Sequence, residues 1–305
     1  MNTPSIPPGN RAGRGPLLVA VASIMLAACG TAASPGPTTT PAPSPGPSGS
    51  PVVPPSSPPI EHATGRTDVV FRFEEGGGFV PVGFFATEAP IFTLYGDGTV
   101  IFKDGNAAPP PEADGIIRTP PYRTIILTEI QIQAFLRAAI SDGGLGVARD
   151  FYESPGADLP TATFTITAGG TTKVVSVLAL GMDRGDGPDT QVLQALAGLG
   201  DRIRDFGREV DGEQVWAPDR WRGVLTPDAF GPPRAWPWPD VSPVDFIQHS
   251  EPEAPRFPVR TMSPDEIALL GLDDIEGGFS SLSLSGPDGE TYLFAIRPLF
   301  PDEPY

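Results

Sequence analysis

Apolar and polar residues alternate from Val69 to Glu74. Val69, Phe71 and Phe73 take one side and Val70, Arg72 and Glu74 the other, which predicts a strand. The run Gly76-Gly77-Gly78 ends it. Residues 91–95 and 99–102 flank Gly96-Asp97-Gly98, and this predicts a hairpin with glycine available for positive φ. Residues 122–127 read as one more short strand.

The period then changes. Ile132, Phe135, Leu136, Ala139 and Ile140 follow helical spacing, with Thr128 and Gln131 as a capping box and Gly143-Gly144 as the stop. Thr161, Thr163, Thr165 and Thr167 alternate with Ala162, Phe164 and Ile166. Gly169-Gly170 turns that strand into residues 172–180. A second helix follows Pro188, with the stripe Val192, Leu196, Leu199, Ile203 and Phe206 and an expected glycine cap at Gly207. Hairpins imply antiparallel pairing. The expectation for residues 66–209 is an α+β domain, an antiparallel β-sheet with two helices on one face.

Residues 210–305 open rich in Pro and Trp, with Trp216, Trp221 and Trp236-Pro237-Trp238-Pro239. Residues 257–262 then read as a strand. Ser263-Pro264-Asp265-Glu266 is a helix start, with N-cap Ser, Pro at N1 and Glu at N3. Leu282 and Leu284 alternate with serines, and Gly286-Pro287-Asp288-Gly289 turns into residues 291–297. A smaller α+β unit is expected there.

Composition sharpens this picture. Forty Pro and 36 Gly in 305 residues exclude a mostly helical chain. A formal net charge of -17 argues against nucleic acid as a partner, because phosphate neutralisation needs basic surface. One Cys excludes a disulfide framework within the chain, and two His make multi-His metal chemistry improbable. Of the 20 basic residues only Lys103 and Lys173 are Lys, a bias that suggests a GC-rich genome.

The N-terminus has its own logic. Arg11 and Arg14 precede an apolar run over residues 17–26, shorter than the roughly 20 residues a membrane span needs. The run ends in Leu26-Ala27-Ala28-Cys29. These residues resemble the lipobox of bacterial lipoproteins. The resemblance implies cleavage of a signal peptide (1–28), acylation of Cys29 by lipid such as palmitate, and a membrane partner reached through that anchor. Several acyl chains on one Cys satisfy the two-anchor requirement for stable attachment. Residues 29–65 are expected to be a disordered tether. Eleven Pro lie in 34–59, and no charge occurs from Gly15 to Ile60. Cleavage would leave 37 acidic and 18 basic side chains, all of them beyond residue 60.

Two further stretches carry a resemblance. Residues 92–100 are similar to a hairpin of uncharacterised exported bacterial domains with the same order of elements over about 66–209. Arg297-Pro298-Leu299-Phe300-Pro301-Asp302-Glu303 looks like the end of hypothetical lipoproteins from high-GC bacteria. Neither implies an activity or catalytic residues.

Candidate chemistry is sparse. A serine hydrolase needs a His base, and His249 in Gln248-His249-Ser250-Glu251 is the candidate, since His62 falls in the expected tether. No Gly-x-Ser-x-Gly elbow occurs. Asp183, Asp186 and Asp189 with Gly187 offer oxygen ligands to Ca²⁺ in one loop, but without EF-hand spacing. Asp273, Asp274 and Glu276 form a weaker cluster. A carboxylate pair for glycoside hydrolysis has no specific signal in so acidic a chain. Arg184-Gly185-Asp186 spells an adhesion tripeptide, which three residues reach by chance. Trp236 and Trp238, two apart, would face one side of an extended chain, where they could stack a glycan or anchor a loop.

The expectation is a lipid-anchored cell-envelope protein on the extracytoplasmic face. It would act as a non-enzymatic binding or structural module, without a cofactor, with an envelope protein or glycan as partner. The alternatives are an envelope hydrolase and a Ca²⁺-stabilised module.

Overall fold

Strand β1 (Val69–Gly77) is the middle of a large sheet. In the computed structural model the described residues are 58–79, 87–105, 107–108, 116–154, 156–183, 185–227, 229, 231–249, 257–272 and 280–304. The expected signal segment, Cys29, the expected tether through residue 57, Arg184, Ser250, Glu251, Asp273, Asp274 and Glu276 lie outside them. Residues 57–305 make one compact unit.

Strands β2 (Phe92–Tyr95) and β3 (Thr99–Lys103) form the predicted hairpin, and Gly98 in its turn has φ 90°. Two short segments follow, β4 (Ile117–Arg118) and β5 (Tyr122–Ile126). Helix α1 (Glu129–Ile140) begins with the Thr128/Gln131 capping box and stops before Gly144, φ 77°. Next come β6 (Phe151–Tyr152), β7 (Pro160–Ala168) and β8 (Thr171–Leu178). Gly169 and Gly170, with φ of 59° and 74°, close the β7–β8 turn. Helix α2 (Thr190–Arg204) follows Pro188 and Asp189. Gly207 is not its cap. The helix ends at Arg204, and Gly207 lies in a 3₁₀ turn over Phe206–Arg208, outside the positive-φ region.

The first sheet runs β6-β8-β7-β1-β2-β3-β5-β9, with β9 at Gln214–Val215. Every pair is antiparallel except β6 with β8. The register sets Phe73 opposite both Phe92 and Phe164. These rings share one buried cluster with Ile132 and Leu136 of α1 and Leu196 and Ile203 of α2. Full burial of each such ring stabilises by about 1.5–3 kcal/mol.

The other face of this sheet is polar at β1 and aromatic at β2 to β5. Tyr95, Ile101 and Tyr122 are buried there beneath Phe300. The covering chain belongs to a second sheet of β10 (Trp221–Thr226), β11 (Arg234–Ala235), β12 (Val259–Met262), β13 (Ser280–Ser285) and β14 (Thr291–Pro298), ordered β11-β13-β14-β10-β12. Helix α3 (Pro264–Ala268) carries the predicted Ser263/Glu266 capping box. Trp221, read in sequence as part of a Pro- and Trp-rich opening, instead starts the strand paired on both sides, by β12 and β14.

The two sheets exchange edges. Strand β4 pairs with β13 of the second sheet, while β9, from beyond residue 209, pairs with β5 of the first. Among the described residues strand exceeds helix, and no helix among them is long and apolar enough to cross a membrane.

The end of the expected tether is not free chain. The Ile60 N–H donates to Gln133 Oε1 at 2.8 Å, and Gln133 Nε2 donates back to the Ile60 carbonyl at 2.8 Å. Gly169 N–H donates to the Glu61 carbonyl at 2.7 Å. His62 packs with its side chain 5% exposed and Nε2 3.2 Å from Glu129. Gly96 permits this path, because a Cβ there would lie 2.8 Å from the Gly65 nitrogen and overlap the Ala63 carbonyl. The folded part thus begins near residue 58, not at 66.

Candidate functional site

An open cleft of about 400 Å³ lies where the β2–β3 turn meets the segments flanking the second sheet. Asp97 occupies the turn, and its Oδ1 accepts the Thr99 N–H at 2.9 Å, a side-chain-closed turn that fixes the rim. Thr99 and Ile101 of β3 form the floor, with Thr124 of β5 paired to Ile101. Arg66 and Thr67 enter from the turn before β1.

Trp216 supplies the aromatic wall. Its backbone N–H donates to the Tyr122 carbonyl at 2.8 Å, and its ring packs on Tyr122 and Phe300, centroids 6.0 and 5.2 Å away. Asp219 and Arg220 follow it. Arg220 is held by the backbone, Nη2 donating to the Glu303 carbonyl at 2.7 Å. Arg66, Arg220, Asp97 and Asp219 leave the cleft with balanced formal charge.

Behind the cleft, on the same face of the sheet, lies a buried ionic network. Arg72 Nη2 donates to Asp302 Oδ1 at 2.7 Å, and the Tyr95 hydroxyl donates to the same oxygen at 2.7 Å. Arg297, 2% exposed, donates to both Glu303 oxygens, and Arg222 Nη2 lies 3.4 Å from Glu303 Oε1. Burial pushes the Glu303 carboxyl up, but hydrogen bonds and charge from Arg297, the Phe300 N–H and Arg222 outweigh it, holding the group below its ordinary value. Burial holds Glu74 above the ordinary carboxylate range despite Arg72. Burial, aided by the charge of Arg297, depresses Lys103 to about 8. Burial likewise raises the Tyr122 phenol. None of these perturbed groups lines the cleft. Their geometry is that of a joint between sheets.

The residues singled out in sequence fall elsewhere. Trp238 is 3% exposed, inside the second core, with its indole N–H donating to the Glu266 carbonyl at 2.8 Å. Trp236 donates to the Val241 carbonyl at 2.6 Å and meets Trp238 edge to face at 5.1 Å. Both do face one side, but that side is the core, so Trp238 has no ring face to offer a glycan. Asp183, Asp186 and Asp189 do not converge. Asp183 Oδ1 accepts the Gly185 N–H at 2.8 Å, and Asp189 pairs with Arg149. Among the described residues no group of three or more His, Cys, Asp or Glu is placed to hold a metal ion. Asp183 instead borders a second hollow of about 340 Å³ between α2 and the loop after β8, near Met182 and Thr190. Thr190 is spent locally there, accepting the Gly187 N–H at 2.8 Å. His249 lies on the loop after β11, half-buried, with Gln248 Nε2 donating to its carbonyl at 3.1 Å.

Trp216, Asp219 and Arg66 escaped sequence reasoning because the cleft draws on distant parts of the chain. The one available signal was Trp216 itself, next to a proline-bounded loop. No protein-family model, no curated protein and no solved structure matches this chain.

Proposed function

We propose that this chain is a lipid-anchored protein of the extracytoplasmic face of the membrane, acylated at Cys29, and that it acts as a non-enzymatic binding module. Its folded part is read as an α+β assembly, an antiparallel sheet backed by two helices and followed by a smaller α+β unit. The observation that carries the reading is the position of the single Cys. It follows Leu26-Ala27-Ala28 directly and precedes an uncharged Pro-rich stretch that continues to where the folded residues begin. Extended as polyproline II, residues 34–59 would reach roughly 80 Å, at about 3.1 Å per residue. All charges of the processed chain lie beyond that spacer, so an acidic module would stand clear of anionic lipid.

Binding rather than catalysis is supported by the cleft at Trp216, which gathers an indole, three threonine hydroxyls and a balanced set of charges around an open floor. The test of the anchor is fractionation of cells expressing wild type and Cys29→Ala, with labelling by an alkyne fatty acid. Wild type should label and sediment with membranes, and Cys29→Ala should do neither. Unlabelled wild type, or membrane retention of Cys29→Ala with normal processing, would overturn the reading.

A further inference from the structure

We infer that the cleft at Trp216 is a binding site for a neutral saccharide chain. The inference rests on the reading of the chain as a displayed binding module, and names that module's ligand class.

The first observation is the state of the polar groups. Trp236 and Trp238 each donate their indole N–H to a carbonyl within the fold. Among the described residues the indole N–H of Trp216 donates to nothing, and the ring is only partly buried. The Arg66 guanidinium and the Asp219 carboxylate border the same cleft, both exposed, and neither has a hydrogen bond or ion pair among the described residues. The hydroxyls of Thr67 and Thr99 are likewise uncommitted. Beneath the cleft Arg72 is paired with Asp302 and Arg297 with Glu303, so neither pair is available to a ligand. Groups left unspent around one concavity are what an incoming polar ligand requires.

The second observation is their type. A guanidinium presents parallel N–H donors, and a carboxylate presents parallel acceptors. Each spans two adjacent hydroxyls of a sugar ring. An indole offers a broad apolar face to the C–H side of the same ring, with an N–H at its edge for one more hydroxyl. About 400 Å³ falls within the usual range of small-ligand sites, roughly 300–1,000 Å³, and the open shape lets a chain continue beyond the bound units.

The third observation selects charge. Two Arg and two Asp line the cleft, so no net charge favours an ion. The whole chain carries -17, which disfavours an anionic polymer at any face. A neutral glycan matches both conditions.

The experiment uses the full-length chain in a polyoxyethylene detergent, which carries no sugar. Cellotetraose, maltotetraose, chitotetraose and an α-1,6-linked mannotetraose are titrated by calorimetry and by tryptophan fluorescence. At least one should bind saturably and change the emission. Asp219→Asn and Arg66→Gln each alter an exposed side chain and should weaken that binding roughly tenfold at unchanged melting temperature, the loss of one charge-assisted hydrogen bond. Trp216→Ala should abolish it. Because Trp216 also packs on Tyr122 and Phe300, the two exposed variants decide the case if that protein does not fold. No saturable binding of any of the four sugars, wild-type affinity in both exposed variants, or preferential salt-sensitive binding of polygalacturonate would overturn the inference. Membrane partition of Cys29→Ala is read separately, so loss of the anchor reading and loss of the saccharide site remain distinguishable.

Discussion

Arg297 and Glu303 meet as a two-pronged pair, Nη2 to Oε1 at 2.6 Å and Nη1 to Oε2 at 2.8 Å. The Phe300 N–H donates to the same carboxylate at 2.8 Å, closing a tight loop over Pro298–Glu303. The side chains are 3% and 16% exposed, so water can replace neither partner. Removing one partner leaves a buried charge without compensation, and Glu303→Gln should destabilise the fold by about 3–5 kcal/mol. Urea midpoints of the two proteins measure this. A loss below about 1 kcal/mol would mean that Arg222 and Arg297 find solvent or another acceptor.

Acid should reach the same joint. The Glu303 carboxyl is held below its unfolded value, so its contribution is full above the ordinary glutamate pKa of about 4.3 and is lost as pH falls through the folded value.

Lys103 predicts a second rise of stability with pH, on the alkaline side. Its folded pKa is about 8, against about 10.4 in an unfolded chain. Between those values the unfolded state binds more protons, so stability from this residue rises with pH, by on the order of 1–3 kcal/mol. Below pH 8 the residue is charged in both states and its burial is a cost. Lys103→Met should therefore be more stable than wild type at pH 7, with the gap closing by pH 9.5. The comparison is made below pH 10, because the buried tyrosines begin to ionise in the unfolded chain there. A gap that is independent of pH would refute the assignment.

Gln133 governs where the folded part begins. Its amide makes both hydrogen bonds that hold Ile60. Gln133→Ala should free residues 58–65 locally, at about 1–3 kcal/mol, while the core stays intact. Amide exchange at Ile60 and Gly169 should accelerate together, since Gly169 donates to Glu61. Unchanged protection at both positions would contradict the docking of this segment.

Local order was legible where a residue's role depends on its neighbours in sequence. The alternation around Phe71 and Phe73, the glycine turns at 96–98 and 169–170, and the caps at Thr128 and Ser263 all appear as read. Strand β10 was hidden because Trp221-Arg222-Gly223-Val224-Leu225-Thr226 does not alternate. It is covered on both faces, so burial imposes no period of two. The two-residue strands β4 and β9 owe their existence to partners more than 80 residues away. Sequence spacing likewise cannot tell where a carboxylate points, so Asp183, Asp186 and Asp189 looked like a ligand set. The Trp pair showed the right geometry and the wrong destination, because side-chain direction says nothing of what lies on that side. The cleft was invisible for a related reason. It is assembled from residues 66–67, 97–101, 124, 216–220 and 299–301.

The pairing of Arg72 with Asp302 links positions 230 residues apart. During synthesis Arg72 leaves the ribosome long before its counter-charge exists, and the face it shares with Tyr95 must wait uncovered. A nascent chain can close the hairpins of β1–β3 and β7–β8 early, yet it cannot finish the first sheet until β9 is made or cover its polar face until Asp302 and Glu303 arrive. Completion of this fold is therefore a late, single event. A chain that ended at Phe300 would keep every helix and strand of the described residues, but it would leave Arg72, Tyr95 and Arg297 without Asp302 and Glu303 and the seam uncovered.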